Sequence, residues 1–209
     1  MPAIGITGGI STGKSTFCRY LLELMPQANF FDADKAARAL TDNDSAVHDE
    51  IRRAFGEEVF SSTGHLNRGQ IRVIILASAA KREALEQILH PRIRSQWSTE
   101  AQRYRNSSDF FFADIPLLYE TGGEKLCDRV AVVACSPEVQ LKRLLARGMN
   151  KGGHRLTAGE ATEMIRTQMP LEQKIQQADH VVWNNDGEAV MSDQARSLVD
   201  IWQKTWTAK

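Results

Sequence analysis

No apolar run in this sequence is long enough to cross a bilayer. The longest, around Val73 to Ala80, is interrupted by Ser78, whereas a spanning helix needs about 20 apolar residues. The opening Met1-Pro-Ala-Ile-Gly-Ile has neither a basic n-region nor a long apolar stretch, so no signal peptide is expected there. Cysteine is scarce: Cys18, Cys127 and Cys135 are odd in number and fit no metal or redox spacing, and buried, reduced thiols are the expectation. A charge excess is missing as well. Lys and Arg together number 26 and Asp and Glu together number 26, so bulk electrostatics gives no reason to expect nucleic acid. Internal repeats and low-complexity tracts are absent. These absences lead us to expect a cytoplasmic chain with no nucleic-acid or membrane partner, either a monomer or a weak homo-oligomer.

What is present is a globular composition. The 209 residues are 42% apolar and 25% charged, which suits one α/β domain with an inserted subdomain, or two small domains. Ala3-Ile-Gly-Ile-Thr7 reads as a short buried strand. Phe17, Tyr20, Leu21, Leu24 and Met25 then fall on one helical face, and Pro26 limits that helix. Asn29-Phe-Phe31 is a second strand, ending in Asp32-Ala-Asp34. Residues 35–105 change texture: long, charged and mostly helical, with His90-Pro91 as an internal boundary. Strand character returns at Asp109 to Asp114 and at Arg129 to Cys135. Ser136 then caps a helix that starts at Pro137. His180 to Trp183 is the last strand, and Met191, Ala195, Leu198, Val199, Trp202 and Trp206 share one face of a C-terminal helix. The alternation implies a parallel sheet of about five strands covered on both faces, with ligands beyond the C-terminal strand ends.

One motif sits at such an end. Gly8-Gly9-Ile10-Ser11-Thr12-Gly13-Lys14-Ser15, followed by Thr16, fits G-x-x-x-x-G-K-[ST] between a strand and an amphipathic helix. Glycines let backbone N–H groups turn inward toward phosphate oxygens, and the helix N-terminus adds positive potential. Lys14 brings a full charge to the outer phosphates, and Ser15 offers a hydroxyl to Mg²⁺. The motif indicates a P-loop fold and a nucleoside triphosphate, without saying what is done with it.

Further segments narrow the class. Asp32-Ala-Asp34-Lys-Ala-Ala-Arg38, His90-Pro-Arg-Ile-Arg94, Asp114-Ile-Pro-Leu-Leu-Tyr-Glu120, Gln168-Met-Pro-Leu-Glu-Gln-Lys174 and Ala178-Asp179-His-Val-Val-Trp-Asn184-Asn185 follow in series. In this order they resemble the motifs of the dephospho-CoA kinase family. The resemblance implies transfer of the γ-phosphate of ATP to the ribose 3′-hydroxyl of dephospho-CoA. It also implies a nucleotide core (residues 1–34 and 106–209), a helical CoA-binding insertion (35–105) and a lid at about 146–170. Three departures stand out: Ser11-Thr12 replace the family's usual Gly-Ser, so Ser11 must hold a conformation that glycine takes more easily. Gly148 follows Arg147 where the family has Arg-Asp, in a lid segment that is longer than usual.

The roles follow from chemistry and resemblance together. Asp34 is the expected catalytic base, since a ribose hydroxyl needs a carboxylate to orient it and take its proton; the alternative is a helix cap for the stretch from Lys35. Asp32 is either structural, part of the substrate site or part of the metal shell. Asp114, at a strand end, is a Walker-B candidate for a Mg²⁺-bound water or for substrate, or merely a strand cap; Glu120 is a weaker candidate. The resemblance points to Arg147 as the phosphate contact at the lid, with Arg143 undecided beside it. His90 and Arg94 are candidate contacts to the phosphorylated substrate, and Asn184 to the adenine of ATP. Lys151, His154 and Arg155 read as solvated loop charges. A kinase for another small alcohol, such as a nucleoside or nucleotide, is the alternative. A GTPase switch fits less well, because Asn150-Lys151 is followed by Gly152-Gly153 and Asp114 by Ile-Pro-Leu, so neither its guanine nor its switch motif is present.

Overall fold

Every residue of Ala3–Gly8 is buried, a pattern without alternation that only a strand covered on both faces can satisfy. In the computed structural model, which describes residues 2–105, 109–147 and 155–207, this strand is β1. The chain continues through α1 (Lys14–Leu24), β2 (Asn29–Asp32), α2 (Ala33–Asn43), α3 (Ser45–Phe55), α4 (Arg68–Ala77) and α5 (Ala79–Tyr104). It closes with β3 (Phe111–Asp114), β4 (Arg129–Ala134), α6 (Pro137–Arg147), α7 (Ala158–Arg166), α8 (Leu171–Gln177), β5 (His180–Trp183) and α9 (Glu188–Thr207). The five strands are ordered β2-β3-β1-β4-β5. β1 runs parallel to β3 and β4, and β4 parallel to β5. Ile6 is in register with Asp114 and Gly8 with Val133, so the loop after β1 and the end of β3 share the C-terminal edge.

The chain divides into two compact units, residues 1–31 with 99–209, and residues 32–98. These limits differ from those read in the sequence because α2 begins directly after β2 and takes Asp32 and Asp34 with it. At the other limit, the last turns of α5 go with the sheet: Tyr104 stacks on Phe111 at 5.7 Å between ring centroids.

A large core cluster of the first unit covers one sheet face. Ile4, Ile6, Phe112 and Val133 from the strands meet Phe17 and Leu21 of α1 and Met191, Ala195 and Trp202 of α9, all fully buried. The helical face foreseen for the C-terminus is therefore the one that packs. Each large side chain so buried contributes about 1.5–3 kcal/mol relative to exposure. Ser136 caps α6 as expected, accepting from the Val139 N–H through its hydroxyl at 3.3 Å.

The second unit has its own smaller core: Leu40, Val47, Ile51, Phe55, Val59, Ile71, Ile88 and Leu89. Here the sequence expectation of a boundary at His90-Pro91 is overturned, since α5 runs through Pro91 without ending. Proline withholds its N–H from the Gln87 carbonyl, a local cost of about 3 kcal/mol. Burial of Ile88 and Leu89 before it and of Trp97 after it keeps the turns on both sides in place.

Candidate active site

The loop from Gly8 to Ser15 is built on two left-handed residues. Ser11 has φ 59° and Gly13 has φ 100°. The strain foreseen at Ser11 is therefore present, and it falls on a residue with a Cβ, which disfavours this region by roughly 1–2 kcal/mol. The Ser11 hydroxyl is also buried without a hydrogen-bond partner among the described residues. Gly13 has no such conflict, and a Cβ there would collide with the Asn184 side-chain amide. The loop closes on itself through the Thr12 N–H to the Gly9 carbonyl at 3.3 Å and the Thr12 hydroxyl to the same oxygen at 2.9 Å. α1 then starts at Lys14, with the N–H groups of Thr16 and Phe17 both reaching the Gly13 carbonyl.

Three remote side chains fix this loop from outside. Asn184, 7% exposed, donates through Nδ2 to the Thr12 carbonyl at 2.8 Å. Arg143 in turn donates to the Asn184 carbonyl at 2.8 Å and to its Oδ1 at 3.3 Å. Both ends of the Asn184 amide are thus occupied by protein, which gives this residue a structural task beside the adenine contact expected from the sequence. Ile10 is held from two sides: the Gln168 side-chain Oε1 accepts from its N–H at 3.0 Å, and Gln140 donates through Nε2 to its carbonyl at 2.9 Å.

Lys14 is ion-paired with Asp114, the pair being only 13% and 14% exposed. The second oxygen of Asp114 accepts from the Cys18 thiol at 3.5 Å. Lys14 is thus parked on a carboxylate at the edge where phosphates would arrive, and an incoming triphosphate competes with Asp114 for it. The Ser15 side chain is exposed at the first turn of α1. A hydroxyl and a carboxylate are hard oxygen donors that suit Mg²⁺, an ion that keeps several waters and binds largely through substrate phosphates. Among the described residues no group of three or more His, Cys, Asp or Glu gathers to hold a metal.

Lys174 escaped the sequence reading as a separate candidate. It is completely buried, ion-paired with Glu120 at 2.8 Å and donating to the Pro116 carbonyl at 2.9 Å. Burial pushes its ammonium below the ordinary lysine value, and Glu120 beside it pushes it back up. Gln140 was hidden for a different reason: it is a polar residue of an amphipathic helix, but lies four residues before buried Leu144 and so on the packed face.

The remaining candidates are placed as follows. Asp32 is the N-cap of α2, its carboxylate accepting from the Lys35 N–H at 2.9 Å. The capping task weighed for Asp34 therefore falls to Asp32, and Asp34, in the first turn of α2, is exposed. His90 and Arg94 lie in α5, within the second unit. Arg92 between them forms a two-pronged pair with Glu50, at 2.7 and 3.2 Å. Arg147 ends α6 and is exposed. Lys151 and His154 lie outside the described residues; Arg155 is exposed. None of Cys18, Cys127 and Cys135 is in a disulfide among the described residues, and burial pushes the Cys127 thiol up to about 12, far from a reactive thiolate. Among the described residues no helix is long and apolar enough to cross a membrane.

The family model described as dephospho-CoA kinase matches residues 2–190. A dephospho-CoA kinase of Bacillus cereus is 35% identical over 204 residues, covering 97% of this chain and 96% of its own. Among solved structures, a protein from Thermus thermophilus is 30% identical, with a TM-score of 0.74 over 95% of both chains. The dephospho-CoA kinase from Campylobacter jejuni has the same fold, with a TM-score of 0.70 at 24% identity, over 97% of this chain and 98% of its own. Because the match runs from the nucleotide loop through the helical unit to the last strand, this chain belongs to the dephospho-CoA kinase family.

Proposed function

We propose that the chain transfers the γ-phosphoryl group of ATP to the ribose 3′-hydroxyl of dephospho-CoA, giving CoA and ADP in the last step of CoA biosynthesis. The observation that carries this reading is the loop after β1: left-handed at two residues, held through its backbone by Asn184, Gln140 and Gln168, and supplied with a lysine whose present partner is a single carboxylate. Such a loop is organised before any ligand arrives, and phosphoryl transfer depends mostly on positioning and charge stabilisation.

In this reading the loop from Gly8 to Thr16 receives the phosphates through the backbone N–H groups that are not already committed to Gln168 or to the loop's own carbonyls. Lys14 exchanges Asp114 for the outer phosphate oxygens. Arg147, from the end of α6, stabilises charge on the transferred group, as part of a lid spanning about residues 146–170. Asn184 borders the adenine while keeping its grip on the loop. Asp34 orients the acceptor hydroxyl and takes its proton; its carboxylate is exposed, and the capping of α2 is done by Asp32. The helical unit, with Asp32, His90 and Arg94, receives the acceptor. Mg²⁺, when bound, neutralises charge on the β- and γ-phosphates, and Ser15 and Asp114 are the residues that would hold it. The cytoplasm is the location that suits cysteines kept reduced and these soluble substrates.

The test is acceptor choice. With ATP and Mg²⁺, ADP release should be far faster with dephospho-CoA than with nucleosides or shikimate. Equal rates across these acceptors would overturn the reading.

A further inference from the structure

A fully buried ammonium is costly to keep. Desolvating a single charge costs several kcal/mol unless good geometry returns it, and an apolar side chain of similar size is often the more stable choice. Lys174 is 0% exposed, the only charged residue with its side chain so fully enclosed among those described. Its contacts converge on one short stretch of chain. The Pro116 carbonyl accepts from Lys174 Nζ at 2.9 Å and from the Thr7 hydroxyl at 3.0 Å, so both of its lone pairs are used. Glu120 Oε1 accepts from Lys174 Nζ at 2.8 Å and from the Met169 N–H at 3.0 Å.

The positions of these partners matter more than their number. Thr7 immediately precedes the phosphate loop. Pro116 lies two residues after Asp114, the carboxylate that holds Lys14. Proline has no N–H with which to anchor its own turn, so beyond the Ile115 N–H bonded to the Ile6 carbonyl at 3.0 Å the turn is fixed by what the Pro116 carbonyl accepts. Lys174 therefore ties the exit of β3 to α8, and Thr7 ties the same carbonyl to the exit of β1, at the level where Asp114 meets Lys14. The charge of Lys14 also bears on Lys174, tending to lower its pKa, as expected for two ammonium groups of one polar cluster.

We propose that Lys174 is a positioning residue for phosphoryl transfer: its ammonium fixes the turn at Pro116 and thereby sets where Asp114 presents its carboxylate to Lys14 and to the ligands of the loop. It touches neither nucleotide nor acceptor and acts through Asp114. This rests on the phosphotransfer reading given above.

The experiment is a double-substitution cycle on the full chain, at a temperature where every variant is folded, with wild-type transfer to dephospho-CoA measured first. Lys174→Met should lower kcat by roughly 10- to 100-fold, the scale of a small misplacement of catalytic groups. KM for ATP should stay within about threefold. Asp114→Asn should lower kcat further, and Lys174→Met in that background should add almost nothing, because residues acting in series do not add. A merely structural lysine would instead give effects that multiply, and that result overturns the proposal. If Lys174→Met does not fold, Glu120→Gln replaces it in the cycle. Glu120 is 22% exposed and its loss is less hazardous; a smaller fall in kcat that again vanishes with Asp114→Asn is expected, and multiplying effects again overturn the proposal. Crystal structures of the same variants give a readout that needs no turnover. A shifted Pro116 turn with the Lys14–Asp114 pair broken supports the proposal, and an unmoved turn defeats it. Absent wild-type transfer would defeat the functional reading alone, leaving the structures to decide the role of Lys174.

Discussion

The two units treat polar groups in opposite ways. In the first unit Thr7, Ser11, Thr12, Gln140, Lys174 and Asn184 are buried, and each belongs to the phosphate loop or holds it or the turn beside it. In the second unit Thr41 is the single buried polar side chain among the described residues. Its charges lie at the surface, as in the Arg92–Glu50 pair at 30% and 37% exposure, and Val73 and Leu76 of α4 are 67% and 57% exposed. The contrast follows from what each must do. A loop that binds phosphates through its backbone has to be rigid before the ligand comes, so its own carbonyls and amides are satisfied by side chains brought from far along the chain. A helical unit needs only apolar packing to persist.

The sharpest break in this comparison would come from Asp34, a catalytic candidate placed in the unit without a polar interior. Asp34→Asn should lower kcat by roughly 10²- to 10⁴-fold. ATP binding should persist, and stability should change by less than about 1 kcal/mol, the value of a first-turn charge on the helix dipole. Calorimetric ATP titration and steady-state kinetics check this, and a variant with most of its kcat would remove Asp34 as the base. Ser11→Gly tests the rigidity side. Removing a left-handed Cβ and an unpartnered hydroxyl should stabilise the chain by about 1 kcal/mol, seen as a raised midpoint in urea, with ATP affinity kept.

The smallest effect is expected in the second unit. The hydrogen bond from Arg92 holds the Glu50 carboxyl below its ordinary value of 4.5. A depressed carboxyl stabilises the fold above its unfolded pKa, and that contribution is lost as pH falls through the folded value. Glu50→Gln should therefore lower the melting temperature slightly and by a constant amount at neutral and weakly acidic pH. The difference from the parent should shrink below about pH 4.5. A difference that instead widened on acidification would show that Arg92 does not control this carboxyl.

Local pattern made much of the fold legible. Ala3 to Thr7, Arg129 to Cys135 and His180 to Trp183 announce strands because a doubly covered strand must be apolar throughout. The Met191-to-Trp206 face announces α9 because one helical stripe must meet the sheet. The loop from Gly8 to Ser15 was equally plain, since its glycines and lysine answer to backbone geometry and phosphate charge within eight residues, whereas the demand on Ser11 followed from the departure from the family's usual Gly-Ser at that place. Pro91 shows the limit of local rules: a residue that usually ends a helix is carried inside one, because side chains packed on both sides outweigh the missing hydrogen bond.

What the tertiary structure alone decided is how that loop is held. Asn184 reaches Thr12 across 172 positions, Gln168 reaches Ile10 across 158, and Lys174 reaches Pro116 across 58. A buried amide or ammonium looks in sequence like any solvated one, because nothing periodic or local marks which polar side chain will find a carbonyl. Only the fold, by bringing the ends of β1, β3 and β5 to one edge of the sheet, gives those side chains something to hold.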